Sequence, residues 1–227
     1  MSRHEARTAP TTVAPVESGA AGIVIGDDGR RRCWWCEPDP LYRRYHDQEW
    51  GRPSADDRRL FEKLILEGFQ SGLSWLTILR KREHFRRAFR EFDIAAIARF
   101  NERSVDRLMA DAGIVRNRAK ILATINNARL YPELVAEFGS LAAFAWSFEP
   151  SPATRPTALD HDALMALPTS RESTAMSKEL RRRGWAFVGP TTVYSFMEAM
   201  GLVNDHLEGC HVRHVVERER VRFRRPR

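Results

Sequence analysis

Leu108-Met109-Ala110-Asp111-Ala112-Gly113-Ile114-Val115-Arg116-Asn117-Arg118-Ala119-Lys120-Ile121 reads as the end of a short helix, a glycine turn and the basic start of a second helix. Such a hairpin can aim backbone N–H groups at a phosphate, with Arg116, Arg118 and Lys120 adding positive charge. On these residues alone, an ordinary helix connection reads equally well. The segments on either side are helical too. Leu60, Phe61, Leu64 and Ile65 recur at helical spacing, with Ser54 offered as their cap. Ser74 can cap a stretch in which Trp75, Ile78, Leu79, Phe85 and Phe89 line one side and arginines the rest. Shorter helices are predicted near Ile94 to Phe100 and Val105 to Ala112, a longer one through Ile121, Leu122, Ile125 and Ala128, and a short one ending at Trp146. Ser177 to Arg183 and Val193 to Met200 follow, each closed by a glycine. Before them, over residues 149–172, Pro150, Pro152, Pro156 and Pro168 mark an irregular connection. Nothing from Cys33 to Trp146 alternates like a strand. An all-α, compact helical body is expected, and its short helices argue against a simple four-helix bundle.

The chain has 227 residues, with 37 Lys+Arg against 30 Asp+Glu, a net charge of +7 and 43% hydrophobic residues, which is ample for a real core. Three cysteines cannot form a paired disulfide framework, so a reducing, cytoplasmic setting is expected. No apolar run is long enough to span a membrane. Residues 1–32 read as a flexible arm, 33–214 as the folded domain and 215–227 as a basic tail. The arm carries +1 and the tail +4, which leaves +2 on the body, so the basic excess that suggests a polyanion lies mostly on the ends.

Two constellations carry chemistry. Cys33-x-x-Cys36, His46 and His206-x-x-x-Cys210 offer the thiolates and imidazoles that Zn2+ prefers, and a closed four-ligand site would tie the N-terminal segment to the C-terminal one. Cys33, Cys36, His46, His206, Cys210, His211 and His214 are all candidates, and spacing does not choose among them. The second is Leu66-Glu67-Gly68-Phe69-Gln70-Ser71-Gly72-Leu73-Ser74-Trp75, where a carboxylate follows an apolar stretch and the next helix opens with a tryptophan. A carboxylate accepts hydrogen bonds from base N–H groups and attracts cations, and tryptophan stacks on flat heterocycles. A surface glutamate beside a core tryptophan is the plainer reading of those residues taken alone. Trp34, Trp35, Tyr42, Tyr45 and Trp50 crowd the segment upstream.

The motifs taken in order resemble a known family. Cys33 with Trp35, Asp39-Pro40-Leu41-Tyr42, Tyr45-His46-Asp47, Glu49-Trp50-Gly51, Leu66-Glu67-Gly68 through Trp75, Asp111-Ala112-Gly113-Ile114, Phe187-Val188-Gly189, Tyr194-Ser195-Phe196-Met197 and Val203-Asn204-Asp205-His206 resemble the DNA-3-methyladenine glycosylase I family over about residues 33 to 210. The resemblance implies an all-helical glycosylase of the helix-hairpin-helix superfamily with one structural zinc. The hairpin is degenerate, since Val115 stands where the usual second glycine would be. By resemblance the ion is held by Cys33, His46, His206 and Cys210, leaving Cys36 a spare thiol. Glu67 and Tyr45 correspond to groups that hydrogen-bond the damaged adenine, Trp75 to the stacking aromatic, and Trp35 and Trp50 to further pocket walls. Leu73, beside Gly72, corresponds to the element that enters the duplex, and Gly113, Arg116, Arg118 and Lys120 to the phosphate-facing hairpin. The usual catalytic aspartate of related glycosylases is absent, so Glu67 is expected to recognise the base and assist electrostatically. The implied enzyme is a monomeric, monofunctional glycosylase acting on alkylated duplex DNA. It needs no Schiff-base lysine, and none of Lys63, Lys81, Lys120 or Lys178 is expected in the pocket. A non-catalytic zinc-stapled DNA binder is the competing reading, and Glu67 with its aromatics is what such a binder would not need.

Overall fold

The computed structural model describes residues 22–156 and 158–227, so the expectation for residues 1–21 of the arm lies outside the described residues. Residues 22–32 depart from a flexible arm. Strands β1 (Ile23–Ile25) and β2 (Arg31–Cys33) pair antiparallel with Ile23 opposite Cys33. Ile23 and Cys33 are buried, and Arg32, only 1% exposed, lies between Asp28 at 2.7 Å and Asp47 at 2.9 Å. Of Arg30, Arg31 and Arg32, only Arg32 is therefore drawn inside, held by part-buried ion pairs, while the other two stay exposed.

From there the chain is helical, as expected. Helix α1 (Pro40–Gln48) is capped by Asp39, whose carboxylate accepts from the amides of Leu41 and Tyr42, and Pro40 sits in the first turn. Helix α2 (Asp57–Gln70) is capped by Asp56 rather than by Ser54, and Ser74 caps α3 (Trp75–Ala88) as expected. Short helices α4 (Ile94–Ala98) and α5 (Glu102–Ala110) lead to α6 (Arg118–Phe138), which is capped by Asn117. Helix α7 (Leu141–Trp146) precedes the proline-rich connection, which contains α8 (His161–Met165). Helices α9 (Arg171–Arg182), α10 (Pro190–Ala199) and α11 (Arg213–Arg222) complete the body.

Helix α2 is the centre of the fold. Leu60, Phe61, Leu64, Ile65, Leu66 and Phe69 are all buried, and α3, α6, α7 and α10 pack against it. Its first turn is solvated, with Arg58 and Arg59 exposed, but from Lys63 to Phe69 every residue is buried, so the two charged side chains in that stretch, Lys63 and Glu67, lie in the interior.

The tail also departs from expectation. Residues 213–222 are helical, Val216 is fully buried in a small cluster with Ile23, Cys33, Leu207 and Cys210, and Phe223 packs on Trp146 with ring centroids 4.6 Å apart. Arg220 and Arg225 both bind the Glu149 carboxylate, at 3.0 and 2.8 Å. Two of the six arginines counted on the tail are thus paired with one acidic group of the body. Among the described residues no helix is long and apolar enough to cross a membrane.

Candidate functional site

A cavity of about 190 Å³ opens between α1, α2, α3 and α10. Tyr42 and Tyr45 enter it from α1, Glu67 and Gln70 from α2, Trp75 from the first turn of α3, and Ser195 and Glu198 from α10, with Trp35 and Trp50 at the two ends of α1. The rings touch at angles suited to edge contacts: Trp35 to Trp50 at 4.9 Å and Tyr45 to Trp75 at 5.4 Å. Sequence reasoning proposed Glu67, Tyr45, Trp75, Trp35 and Trp50 for one pocket, and the fold brings those five together. It did not find Gln70, Ser195 or Glu198. Only helical periodicity of α10 points to the last two, and that signal also fits plain core packing.

Lys63 does not line this cavity but stands directly behind Glu67, because it sits one helical turn before it on the same buried stretch of helix. Its ammonium is 2.7 Å from Glu67 Oε1, donates to the Tyr45 hydroxyl at 2.7 Å, and sits 3.2 Å from the centroid of the Trp75 ring. A second cavity of about 360 Å³ lies on the Lys63 side and shares Tyr45 and Trp75 with the first. The electrostatics follow from burial. Lys63 is pushed down to about 8 by loss of solvent, against the pull of Glu67. Glu67 is raised above the usual carboxylate range by burial, with Lys63 pulling the other way. Tyr45 is raised well above its ordinary value by burial and then by Glu67, so it is a phenol and not a phenolate. Glu198 is likewise raised well above its ordinary value, by burial and then by Asp205 and Glu67. The Trp75 indole N–H is buried without a hydrogen-bond partner. A cavity with aromatic walls, two phenols, two acidic side chains and an unused indole donor suits a flat, polar-edged heterocycle.

A separate buried group joins the ends of the chain. Cys33, His46 and Cys210 place their ligand atoms within 4.8 Å of one another. The Cys33 thiol is held well above its usual range by its hydrogen bond to Cys210 and by burial, and Cys210 is drawn down to about 4, chiefly by the same hydrogen bond. His46 Nδ1 meets Asp47 Oδ1 at 2.8 Å, which turns Nε2 toward Cys210 Sγ at 3.5 Å. Orienting a ligand imidazole through its other nitrogen is the usual supporting arrangement at metal sites. This trio could hold a metal ion. His206 lies outside the trio, but its ring centroid is 4.9 Å from that of His46, and its Nε2 is buried with no hydrogen-bond partner while Nδ1 is engaged by Asn204 at 3.0 Å. Cys36 is buried and donates to the Cys33 carbonyl, and His211 pairs with the Arg31 carbonyl.

A family model described as methyladenine glycosylase matches residues 35–214. The chain belongs to the methyladenine glycosylase family. It is 48% identical over 180 residues to DNA-3-methyladenine glycosylase 1 of Escherichia coli strain K12, covering 79% of this chain and 95% of that protein. Identity to the DNA-3-methyladenine glycosylase of Haemophilus influenzae is 44%, covering 79% and 96%. The fold matches a crystal structure of 3-methyladenine DNA glycosylase I with a TM-score of 0.74 at 47% identity, covering 79% of this chain and 98% of that one. It also matches a tyrosine-to-phenylalanine variant of 3-methyladenine DNA glycosylase I in complex with 3-methyladenine, with a TM-score of 0.72 at 37% identity, covering 79% and 95%.

In this member of the methyladenine glycosylase family, the residues expected to face DNA fall into two groups. Gly72 has φ +80° with open space around it, and Leu73 next to it is 43% exposed, unusual for a leucine in so apolar a neighbourhood. Arg116 and Arg118 are exposed on the hairpin between α5 and α6, with Arg118 paired to Glu102. Gly113 donates its amide to Asp111 Oδ1 at 2.7 Å, so that N–H is already used. Lys81, which sequence reasoning left out, donates to the Ala112 and Gly113 carbonyls and holds the turn to α3. Lys120 is placed elsewhere than expected. It is buried, and its ammonium donates to the carbonyls of Phe69 at 2.8 Å and Ser71 at 2.6 Å, at the end of α2. It ties the hairpin to the loop carrying Gly72 and Leu73 instead of offering charge to solvent, because its side chain reaches the negative end of a buried helix.

Proposed function

We propose that this chain is a DNA repair glycosylase that flips 3-methyladenine out of alkylated duplex DNA and hydrolyses its N-glycosidic bond, leaving an abasic site. The observation that carries the reading is a buried carboxylate, Glu67, set between aromatic walls in a chain of this family. An alkylated adenine held through its glycosidic nitrogen carries positive charge and a weakened bond. A cavity of flat apolar walls with one carboxylate favours such a base over a neutral one. Trp75 stacks on the flipped base, Trp35 and Trp50 close the sides, Glu67 accepts an N–H, and Tyr45 supplies a hydroxyl. The sugar-to-base bond breaks with its electron pair moving to the base, which leaves neutral. Water adds to the sugar carbon and loses a proton to solvent. Glu67 stabilises the positive charge through these steps and forms no bond.

Leu73 enters the gap in the duplex, and Gly72, Gly113, Arg116 and Arg118 hold the flanking backbone, with residues 33–214 as the catalytic body. Cys33, His46, Cys210 and His206 would hold one Zn2+. The chemistry of the set fits, with two thiols, two imidazoles and an unpartnered Nε2 on His206, and a closed set of this kind supplies cross-linking and no reactive water. The test is release of free 3-methyladenine from methylated duplex DNA by the native chain and by Glu67→Ala. Release by the native chain, strongly reduced in the variant, is the expected result. Binding of the DNA without release of base by the native chain overturns the reading in favour of a non-catalytic binder.

A further inference from the structure

Lys63 stands behind Glu67, in the wall of the second cavity, and takes no part in the steps above. Resting on the glycosylase reading, we propose that Lys63 is a positioning residue for base recognition, whose ammonium holds Glu67 as a hydrogen-bond acceptor and obliges Tyr45 to act as a donor.

An ammonium has three N–H donors and no lone pair. Lys63 gives one to Glu67 Oε1 and one to the Tyr45 oxygen, and its charge rests 3.2 Å from the centre of the Trp75 ring. The Tyr45 oxygen, having accepted, must send its own hydrogen elsewhere, and the remaining open space beside it is cavity. Glu67, beside a full positive charge, stays a carboxylate where its burial alone would favour the neutral acid. The base therefore meets an acceptor and a donor of settled polarity. Adenine presents an amino donor next to a ring-nitrogen acceptor, whereas guanine presents two acceptors on the corresponding edge. A fixed acceptor at Glu67 favours the first and repels the second.

The second cavity explains how Lys63 keeps its proton while a base is bound. It reaches Lys63 from the side away from Glu67, so a base in the smaller cavity leaves that approach open. The other charges there cancel in pairs: Glu49 with Arg82 at 2.5 Å, and Glu62 with Arg86 at 2.8 Å, with Arg59 at the edge. On the base side, Tyr42 and Tyr45 from α1 are neutral phenols, and burial with Asp205 and Glu67 nearby pushes Glu198 from α10 toward its neutral form. Lys63 is thus the charge that decides whether Glu67 is ionised.

The experiment is the single-turnover rate of 3-methyladenine release from methylated duplex, from pH 5 to 9, for the native chain, Lys63→Met and Lys63→Arg. It is read beside a carbon-13 titration of the Glu67 carboxyl and a thermal melt of each protein. In Lys63→Met the acid limb should move up by about one to three pH units, the shift expected when a charged neighbour at contact distance is removed. Its rate should therefore fall about tenfold at pH values a unit below the new limb and return toward the native rate by pH 9. Lys63→Arg should keep the native limb, since a guanidinium stays charged throughout. The carboxyl titration should move in step with the rates. A rate lowered by one constant factor at every pH overturns the proposal, as does a Glu67 titration unchanged in Lys63→Met, or a limb displaced equally in both variants. Should the native chain release no base at all, the glycosylase reading falls, and the carboxyl titration still decides whether Lys63 governs Glu67.

Discussion

Replacing Lys120 by methionine separates the support of the DNA-facing loop from the base pocket. The ammonium makes two hydrogen bonds, to Phe69 O at 2.8 Å and Ser71 O at 2.6 Å, and both carbonyls lie at the end of α2. A hydrogen bond from a charged donor contributes about 1.5–3 kcal/mol, so the two together contribute roughly 3–6 kcal/mol. Burial opposes this, since loss of solvent lowers the Lys120 pKa and so disfavours its charged form. A net loss of about 2–4 kcal/mol remains, because methionine fills the same space and leaves the buried Phe69 carbonyl and the part-buried Ser71 carbonyl without their donor. For a chain of this size that corresponds to a fall in Tm of about 5–15 °C. The functional consequence is uneven. Ser71 and Gly72 lose their tether, so release of 3-methyladenine from duplex should fall, while binding of free 3-methyladenine, followed by tryptophan fluorescence, should change little. A Tm within about one degree of the native value would refute the energetic reasoning. Equal losses in duplex cleavage and free-base binding would refute the separation of loop from pocket.

Val216→Ala in α11 should cost about 2 kcal/mol in a denaturant titration, because the side chain is fully buried, whereas a loose tail would show no change. Cys210→Ser, or chelation of metal from the native chain, should lower thermal stability before it alters free-base binding. Metal content well below one equivalent in carefully purified native protein would count against the site. Stability should also depend on pH through Lys63. Burial pushes its pKa down to about 8, so between that pH and the ordinary lysine value of about 10.4 the unfolded chain holds more protons than the folded one. Stability from this group therefore rises with pH across that window, by about 3 kcal/mol in all. The difference in urea stability between the native chain and Lys63→Met isolates it, and a difference flat in pH contradicts it.

What the residues reveal in sequence depends on how far apart their partners lie. The helices were legible because periodic apolar residues such as Leu60, Phe61, Leu64 and Ile65 report a buried face locally. Glu67 and Trp75 stood out because the fold places them only eight residues apart across a glycine loop. Lys63 was not legible as a pocket group. A lysine four residues before a glutamate is the ordinary pattern of an exposed helix pair, and only the burial of α2 on every side turns it inward. The hairpin of β1 and β2 escaped notice because three-residue strands show no alternation. Helix α11 was read as tail because it is rich in arginine; it docks through one valine and through ion pairs to Glu149, whose positions no local pattern discloses. Lys120 was misplaced for the same reason, since its partners lie 49 and 51 residues away.

The cluster of Cys33, His46 and Cys210 also has a meaning in time. Cys210 Sγ and His46 Nε2 meet across 164 residues of chain. On a ribosome, every group of the base pocket from Trp35 to Glu198 is synthesised before Cys210, and the apolar cap that Val216 lays over the cluster comes later still. A nascent or truncated chain can therefore own a complete set of base-contacting residues while its two ends remain unjoined. Closure of the cluster therefore waits for Cys210 and Val216, and proteolytic resistance of the N-terminal hairpin should appear only once residues beyond Val216 have emerged.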